Sequence, residues 1–292
     1  MAPDPLDDVV AAAARHWRLT LGEQLAGGTR SAVYAATDPG GRDVVLKVPG
    51  ALTDPIGVTA AEAAALTVWR HTGAAVGLVD VTFRALLLHR ARPGTNAPWD
   101  PQESMDDLIL VAAELLRRLW AADPGGYRFP DLSEVYSDAE RVARRDAAYE
   151  RRARAEPERG AAGLSRLPGA RAAAQELIIG APGSVLLHGD FRTKNLVRDT
   201  TAPAGWLCLD PLPMIGDPAC EVAAFAAYLP AGLILPAAEL LAIRAGVDAA
   251  RARAWAAIWA VHQSAQAWRD DQDVLDRLVG SAEIGRLLRG PG

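Results

Sequence analysis

The sequence predicts an α+β chain in two lobes: a small five-stranded antiparallel lobe with one helix, then a larger, mainly helical one. Three observations predict it. Up to residue 90 the chain runs in short apolar or alternating stretches cut by glycine and proline turns. From Arg90 to Pro101 it is rich in proline, glycine and asparagine, which marks a connector. Beyond it, apolar residues recur at helical spacing over long stretches. The division is therefore 1–90, a hinge at 91–101, and 102–292.

Each element has its own signal. Asp7–Trp17 is an opening helix, and Leu19–Ala26 alternates as a first strand. Gly27, Gly28, Thr29, Arg30 and Ser31 form a flexible turn before a second strand, Ala32–Thr37. The turn Asp38-Pro39-Gly40-Gly41 leads to a third, β-rich strand, Asp43–Val48. Val58–Trp69 turns helical, and Val76–Thr82 and Ala85–His89 complete the five strands. In the second lobe the expected helices are Ser104–Trp120, Ser133–Ala155 and Leu164–Ile179, with a polar break at Glu156–Gly163. Ser184–His188 and Trp206–Asp210 are short strands bracketing a loop, read as a hairpin on the helical lobe. Glu221–Leu229, Pro236–Ala245, Asp248–Trp268 and Val274–Leu288 close the chain as helices.

Composition narrows the function classes. At 292 residues and 50% hydrophobic content the chain can bury a sizeable core. A net charge of −5 argues against general nucleic-acid binding, which calls for a basic face. Residues 1–92 hold nine basic and nine acidic residues, so the acidic excess lies beyond them. It gathers at Asp270, Asp271, Asp273, Asp276 and Glu283, which is either a solvated helix face or a surface that attracts a cationic substrate. Cys208 and Cys220 have no metal-ligand spacing and sit in apolar surroundings, as small buried hydrophobes do. Val222–Ala238 is the longest charge-free stretch, too short for a span and broken by two prolines. The first residues lack a signal-peptide pattern, so a cytoplasmic protein is expected. Of 31 Lys and Arg residues only Lys47 and Lys194 are lysines. If codon drift replaced lysine wherever that was tolerated, these two mark positions where arginine does not serve.

The chemistry concentrates in Leu187-His188-Gly189-Asp190-Phe191-Arg192-Thr193-Lys194-Asn195. A strand ends, an Asp opens a loop, and an Asn follows five residues later. Fifteen residues beyond Asn195 comes Asp210, at the end of another short strand, followed by Gly216-Asp217-Pro218. The pattern suits phosphoryl transfer, which needs one carboxylate for the acceptor hydroxyl and oxygen ligands for magnesium. Asn195 and Asp210 supply hard oxygen donors of the kind Mg2+ takes.

These motifs resemble the aminoglycoside phosphotransferase family, a small-molecule branch of the protein-kinase-like fold. The run Leu209 to Glu221 is most similar to the streptomycin kinase and hydroxyurea-type antibiotic kinase branch, and the resemblance spans roughly residues 20–288. It implies a bilobal kinase-like fold, with Asp190 as catalytic base and Asn195 and Asp210 on Mg2+. It also implies a third-strand lysine, Lys47, on the phosphates, oriented by Glu62 on the following helix. Gly27 and Gly28 would cover the phosphates, with Ser31 or Thr29 offering a hydroxyl. Residues Leu88–Arg90 would present backbone groups to a purine edge. Arg192 stands where protein kinases place a lysine near the γ-phosphate: it either stabilises transition-state charge or is a solvated loop arginine. Lys194 either faces phosphate or lies idle beside the metal ligand. His188 is expected to support the loop, and Asp217 to brace it.

The expected activity is an ATP-dependent phosphotransferase acting on a hydroxyl of a small, cationic antibiotic and conferring resistance. Kinases of other metabolites and an inactive nucleotide-binding pseudokinase are the alternatives. ATP over GTP, and monomer over homodimer, stay open. Trp255, Trp259, His262 and Trp268 recur at helical spacing, as core packing or as a wall of the acceptor pocket beside Asp270 and Asp271. Asp131 and Glu134 are further candidates for that pocket.

Overall fold

The computed structural model describes residues 5–25, 31–50, 55–96 and 104–289. It begins with α1 (Pro5–Trp17), β1 (Thr20–Gln24), β2 (Ser31–Thr37), β3 (Asp43–Pro49), α2 (Pro55–Trp69), β4 (Leu78–Thr82), β5 (Ala85–His89) and β6 (Pro93–Asn96). Next come α3 (Met105–Trp120), α4 (Leu132–Ser137), α5 (Ala139–Ala155), α6 (Ala161–Ile179), β7 (Val185–Leu187), β8 (Leu196–Asp199), β9 (Trp206–Cys208) and β10 (Met214–Gly216). The chain closes with α7 (Pro218–Ala226), α8 (Ile234–Ala245), α9 (Ala249–Gln266), α10 (Gln272–Gly280) and α11 (Ala282–Leu287). Two compact units result: Met1–Ala97 with Ala121–Arg128 and Thr193–Pro213, and Pro98–Trp120 with Phe129–Arg192 and Met214–Gly292.

In the first unit the sheet order is β1-β2-β3-β5-β4, with every pairing antiparallel. Strand alternation explains its two faces. Val44, Leu46 and Val48 of β3 are buried; Leu46 and Val48 pack with Val10 and Ala13 of α1. Lys47, between them in sequence, projects to the opposite face and meets Glu62 of α2. A second sheet, β6-β8-β9, belongs to the same unit, and Ala75 bridges to Cys208 of β9.

The sequence-based cut near residue 90 does not coincide with this division. The stretch 91–101 contains a strand, β6, whose Pro93 pairs with Asp199 of β8. A strand at a sheet edge tolerates proline because one side of its backbone needs no partner, so its composition disguised it. The expected hairpin of 184–188 and 206–210 also gives way: β7 pairs with β10, and β9 pairs with β8.

The second unit is helical, with α9 packed against α6, α7 and α8. Its core includes Trp255, Ala256, Ile258 and Val261, all inaccessible to solvent. Two stretches expected as single helices are each split by a capping residue. Asp138 accepts from the Arg141 N–H and starts α5, and Ser281 accepts from the Ile284 N–H and starts α11. Both cysteines are free and buried. Among the described residues no helix is long and apolar enough to cross a membrane.

Candidate active site

In the first unit the structure gathers three of the expected residues around one atom. Lys47 Nζ donates to both Glu62 oxygens, at 2.7 and 2.6 Å, and to Asp210 Oδ1 at 2.6 Å. Lys47 and Glu62 are buried, whereas the Asp210 side chain is about a third exposed. Burial works against the ammonium, but the Glu62 and Asp210 carboxylates outweigh it and raise the Lys47 pKa above its ordinary value. Burial likewise lifts Glu62; the Lys47 ammonium opposes that shift and the Asp210 charge reinforces it. Three charges of which two are negative leave the cluster short of one cation.

Asn195 lies beside this cluster in the same unit. Its carbonyl accepts from the Leu209 N–H at 3.0 Å, which ties the end of one motif to the start of the next. The residue is buried, in the short 3₁₀ turn Thr193–Asn195. Asp210 adopts φ +60°, a left-handed conformation that Asp tolerates better than most residues, and one that concentrates at functional positions. One carboxylate and one amide oxygen suit Mg2+, which binds few protein groups and completes its shell with phosphate and water. Among the described residues no cluster of three or more His, Cys, Asp or Glu forms a denser metal site.

The rest of the first motif lies in the second unit, since the units divide between Arg192 and Thr193. Gly189 has φ +76°, a conformation closed to side chains without strain, and so turns the chain directly before Asp190. The His188 ring accepts from the Asp190 N–H at 3.3 Å, consistent with support of the loop. Arg192 meets both oxygens of Asp190, with Nε 2.8 Å from Oδ1 and Nη2 donating to Oδ2 at 2.9 Å. Asp217 caps α7 through the Ala219 N–H at 2.9 Å and accepts from Arg251 Nε at 2.6 Å and Trp255 Nε1 at 2.7 Å. It therefore pins α7 to α9. Gly216 before it passes so close to Leu132 that a Cβ would lie 2.8 Å from that residue's Cβ.

The remaining expected residues scatter. Gly27, Gly28 and Thr29 lie outside the described residues. Ser31 opens β2 opposite Pro49, and Leu88 is buried on β5 opposite Val45. Arg90 follows β5, with Nη2 4.0 Å from Glu23. Lys194 is exposed, and its carbonyl accepts from Asn96 Nδ2 at 3.2 Å. Asp271 is occupied within the fold: it accepts from the Ala231 N–H at 2.6 Å and pairs with Arg269 at 2.7 Å. Trp268 is 45% exposed and donates to Gln263 Oε1, and Asp270 is exposed. Asp131 and Glu134 form a capping box at α4. Trp255 is core, and His262 is a buried partner of the Tyr149 hydroxyl at 3.2 Å, its pKa pushed down by burial to about 3.

Sequence reasoning missed Glu221. Its carboxylate accepts from the Gly189 N–H at 2.7 Å and from Trp120 Nε1 at 2.9 Å, both within the second unit. Burial pushes its pKa up to about 7. The signal was present: one carboxylate stands in the otherwise uncharged run from Pro218 to Leu229. A lone acid on a buried helix face needs partners, and these are on the loop.

Comparison with known proteins converges on one family. The pattern of the aminoglycoside/hydroxyurea antibiotic resistance kinases matches residues 16–272. The hydroxyurea phosphotransferase of Kitasatospora aureofaciens is 30% identical over 249 residues, which cover 84% of this chain and 68% of that protein. Among solved structures, a choline/ethanolamine kinase family protein from Mesorhizobium loti superposes with a TM-score of 0.61 at 17% identity, over 97% of each chain. A ternary complex of streptomycin, ATP and APH(2")-IIa gives 0.57 at 12% identity, over 98% of this chain and 97% of that one. Likeness at such low identity shows the fold, that of the protein-kinase-like small-molecule kinases. The family pattern covers most of the chain and includes both motifs, so the chain belongs to the aminoglycoside/hydroxyurea antibiotic resistance kinases.

Proposed function

We propose that this small-molecule phosphotransferase moves the γ-phosphoryl group of ATP, with Mg2+, to a hydroxyl of an antibiotic of the hydroxyurea or streptomycin type, and so confers resistance. The observation that carries the reading is Lys47 Nζ held by Glu62 and Asp210. A fixed ammonium of that kind is what α- and β-phosphates require. The 30% identical hydroxyurea phosphotransferase supports the acceptor class.

The residues divide the work. Lys47 binds phosphate oxygens, and Glu62 keeps its ammonium from turning away. Asn195 and Asp210 would hold Mg2+, which when bound neutralises charge on the phosphates. Asp210 shares its carboxylate with Lys47, so one side chain would serve both the ammonium and the metal ion. Asp190 orients the acceptor hydroxyl and receives its proton. The acceptor oxygen bonds to the γ-phosphorus as the bond from that phosphorus to the β–γ bridging oxygen breaks, and ADP leaves. Arg192 holds the Asp190 carboxylate in one orientation until the acceptor arrives.

The test is ADP release by the purified protein with Mg2+ and ATP, over hydroxyurea, streptomycin, choline, ethanolamine and a fructosamine. 31P NMR identifies the product. Stimulation by hydroxyurea or streptomycin, with a phosphorylated product, is the expected result. Stimulation only by the metabolites overturns the antibiotic reading, and no stimulation by any overturns the acceptor class.

A further inference from the structure

One face of α7 and the turn after it touch the catalytic loop residue by residue. Glu221, Phe225 and Tyr228 are spaced i, i+4 and i+7, the spacing that stacks side chains along one helical stripe. Glu221 accepts from the Gly189 N–H at 2.7 Å. Phe225 packs against Phe191, with ring centroids 5.5 Å apart, and Phe191 packs in turn on His188 at 5.8 Å. Tyr228 lies under Arg192, whose guanidinium carbon is 4.5 Å from the ring centroid. The three contacts fall on the residue before Asp190 and on the two after it. All of these residues belong to the second unit.

The last contact constrains Asp190 most directly. A planar guanidinium can lie flat on an aromatic face while its edge forks onto a carboxylate. Arg192 meets both partners: its guanidinium carbon lies over the Tyr228 ring, Nη2 donates to Asp190 Oδ2, and Nε lies 2.8 Å from Oδ1 as an ion-pair contact. Held between the ring and the carboxylate, the guanidinium has little room to move, and this restricts the direction in which the Asp190 oxygens are held. Phe191 is buried, so a swing of the loop would have to pull its ring out of the core. Glu221 fixes the backbone at the one residue, Gly189, whose conformational freedom would otherwise release it.

We propose that the Glu221–Phe225–Tyr228 face is a template for the catalytic loop, with Tyr228 a positioning residue that acts on Asp190 through Arg192. The proposal rests on Asp190 as the group that handles the acceptor hydroxyl. Tyr228 is half-buried, so shortening it leaves the core intact.

Two measurements test it. In protein labelled with 15N-arginine, the Arg192 Nε–H signal is identified by its loss in Arg192→Lys. Its exchange with solvent should accelerate at least tenfold in Tyr228→Leu and return to within threefold in Tyr228→Phe, which keeps the ring. Unchanged exchange in Tyr228→Leu overturns the proposal, and this readout does not depend on any acceptor. With an acceptor that supports turnover, Tyr228→Leu should lower kcat about tenfold, equal to about 1.4 kcal/mol, with the acceptor KM within twofold. Tyr228→Phe should recover most of that loss, and in an Arg192→Met background Tyr228→Leu should cost under twofold. A raised acceptor KM with unchanged kcat would instead make Tyr228 a direct acceptor contact and refute the template. If no acceptor is phosphorylated, the functional reading fails while the exchange measurement still decides the positioning role.

Discussion

Glu221→Gln isolates a single titration in the buried support of the catalytic loop. The Glu221 carboxyl is pushed by burial to about 7, against an ordinary 4.5. Each unit of pKa difference is worth about 1.4 kcal/mol, so ionising this group in the fold costs about 3 kcal/mol more than in the unfolded chain. The sign follows from proton counting. Between pH 4.5 and about 7 the folded protein retains a proton that the unfolded chain has released, so stability falls as pH rises through that window and levels off above it. The amide of the variant does not titrate. Urea unfolding of both proteins between pH 4.5 and 8 should therefore show a free-energy difference that grows with pH, by about 3 kcal/mol in favour of the variant. Every other titrating group cancels in that difference. Turnover should move the other way. The Gly189 N–H and Trp120 Nε1 reach different carboxylate oxygens, and in the variant one of those positions becomes an NH2 donor, so one donor loses its partner. A free-energy difference that stays constant with pH would refute the reasoning, because Glu221 would then ionise in the fold at no cost.

Asp190→Asn should lower kcat by about 100- to 10,000-fold, the usual contribution of a general base, while ATP affinity measured by calorimetry stays within threefold. Lys47→Arg should leave the unfolding temperature within a few degrees yet weaken kcat/KM for ATP by at least about 100-fold, since a five-donor fork cannot replace an ammonium gripped by two carboxylates. Gly189→Ala places a side chain at φ +76° and should cost about 1–2 kcal/mol in urea unfolding, together with a measurable loss of turnover. Normal turnover in any of these three would place the assigned role elsewhere.

The two lysines show how far the sequence reached. Lys47 stands out in an arginine-rich chain, and its place on β3 explains it: alternation turns it away from α1 and toward Glu62. Lys194 stood out equally and proves to be an exposed residue of the turn between Arg192 and Asn195, with its carbonyl bonded to Asn96. Rarity marked a position in each case but did not distinguish a buried ammonium from an exposed one. Asp217 is expected to brace the catalytic loop; its side-chain partners Arg251 and Trp255 instead tie the start of α7 to α9. Those partners lie 34 and 38 residues away on α9, a distance that no motif spans.

By itself the sequence determined what local chemistry can write. Strand alternation, turn glycines, the Asp190–Asn195 spacing and the Asp210–Asp217 run are short-range patterns, and each follows from a backbone period or a ligand's need for particular atoms. Tertiary structure decided the rest. It revealed β6 within a proline-rich connector, because only the β8 partner supplies the hydrogen bonds that make a strand of it. It joined Lys47 to Asp210 across 163 residues. It also turned the Glu221 face of α7 against the loop that carries Asp190. Burial, pairing and pKa are properties of neighbours in space, and the chain acquires those neighbours only when it folds.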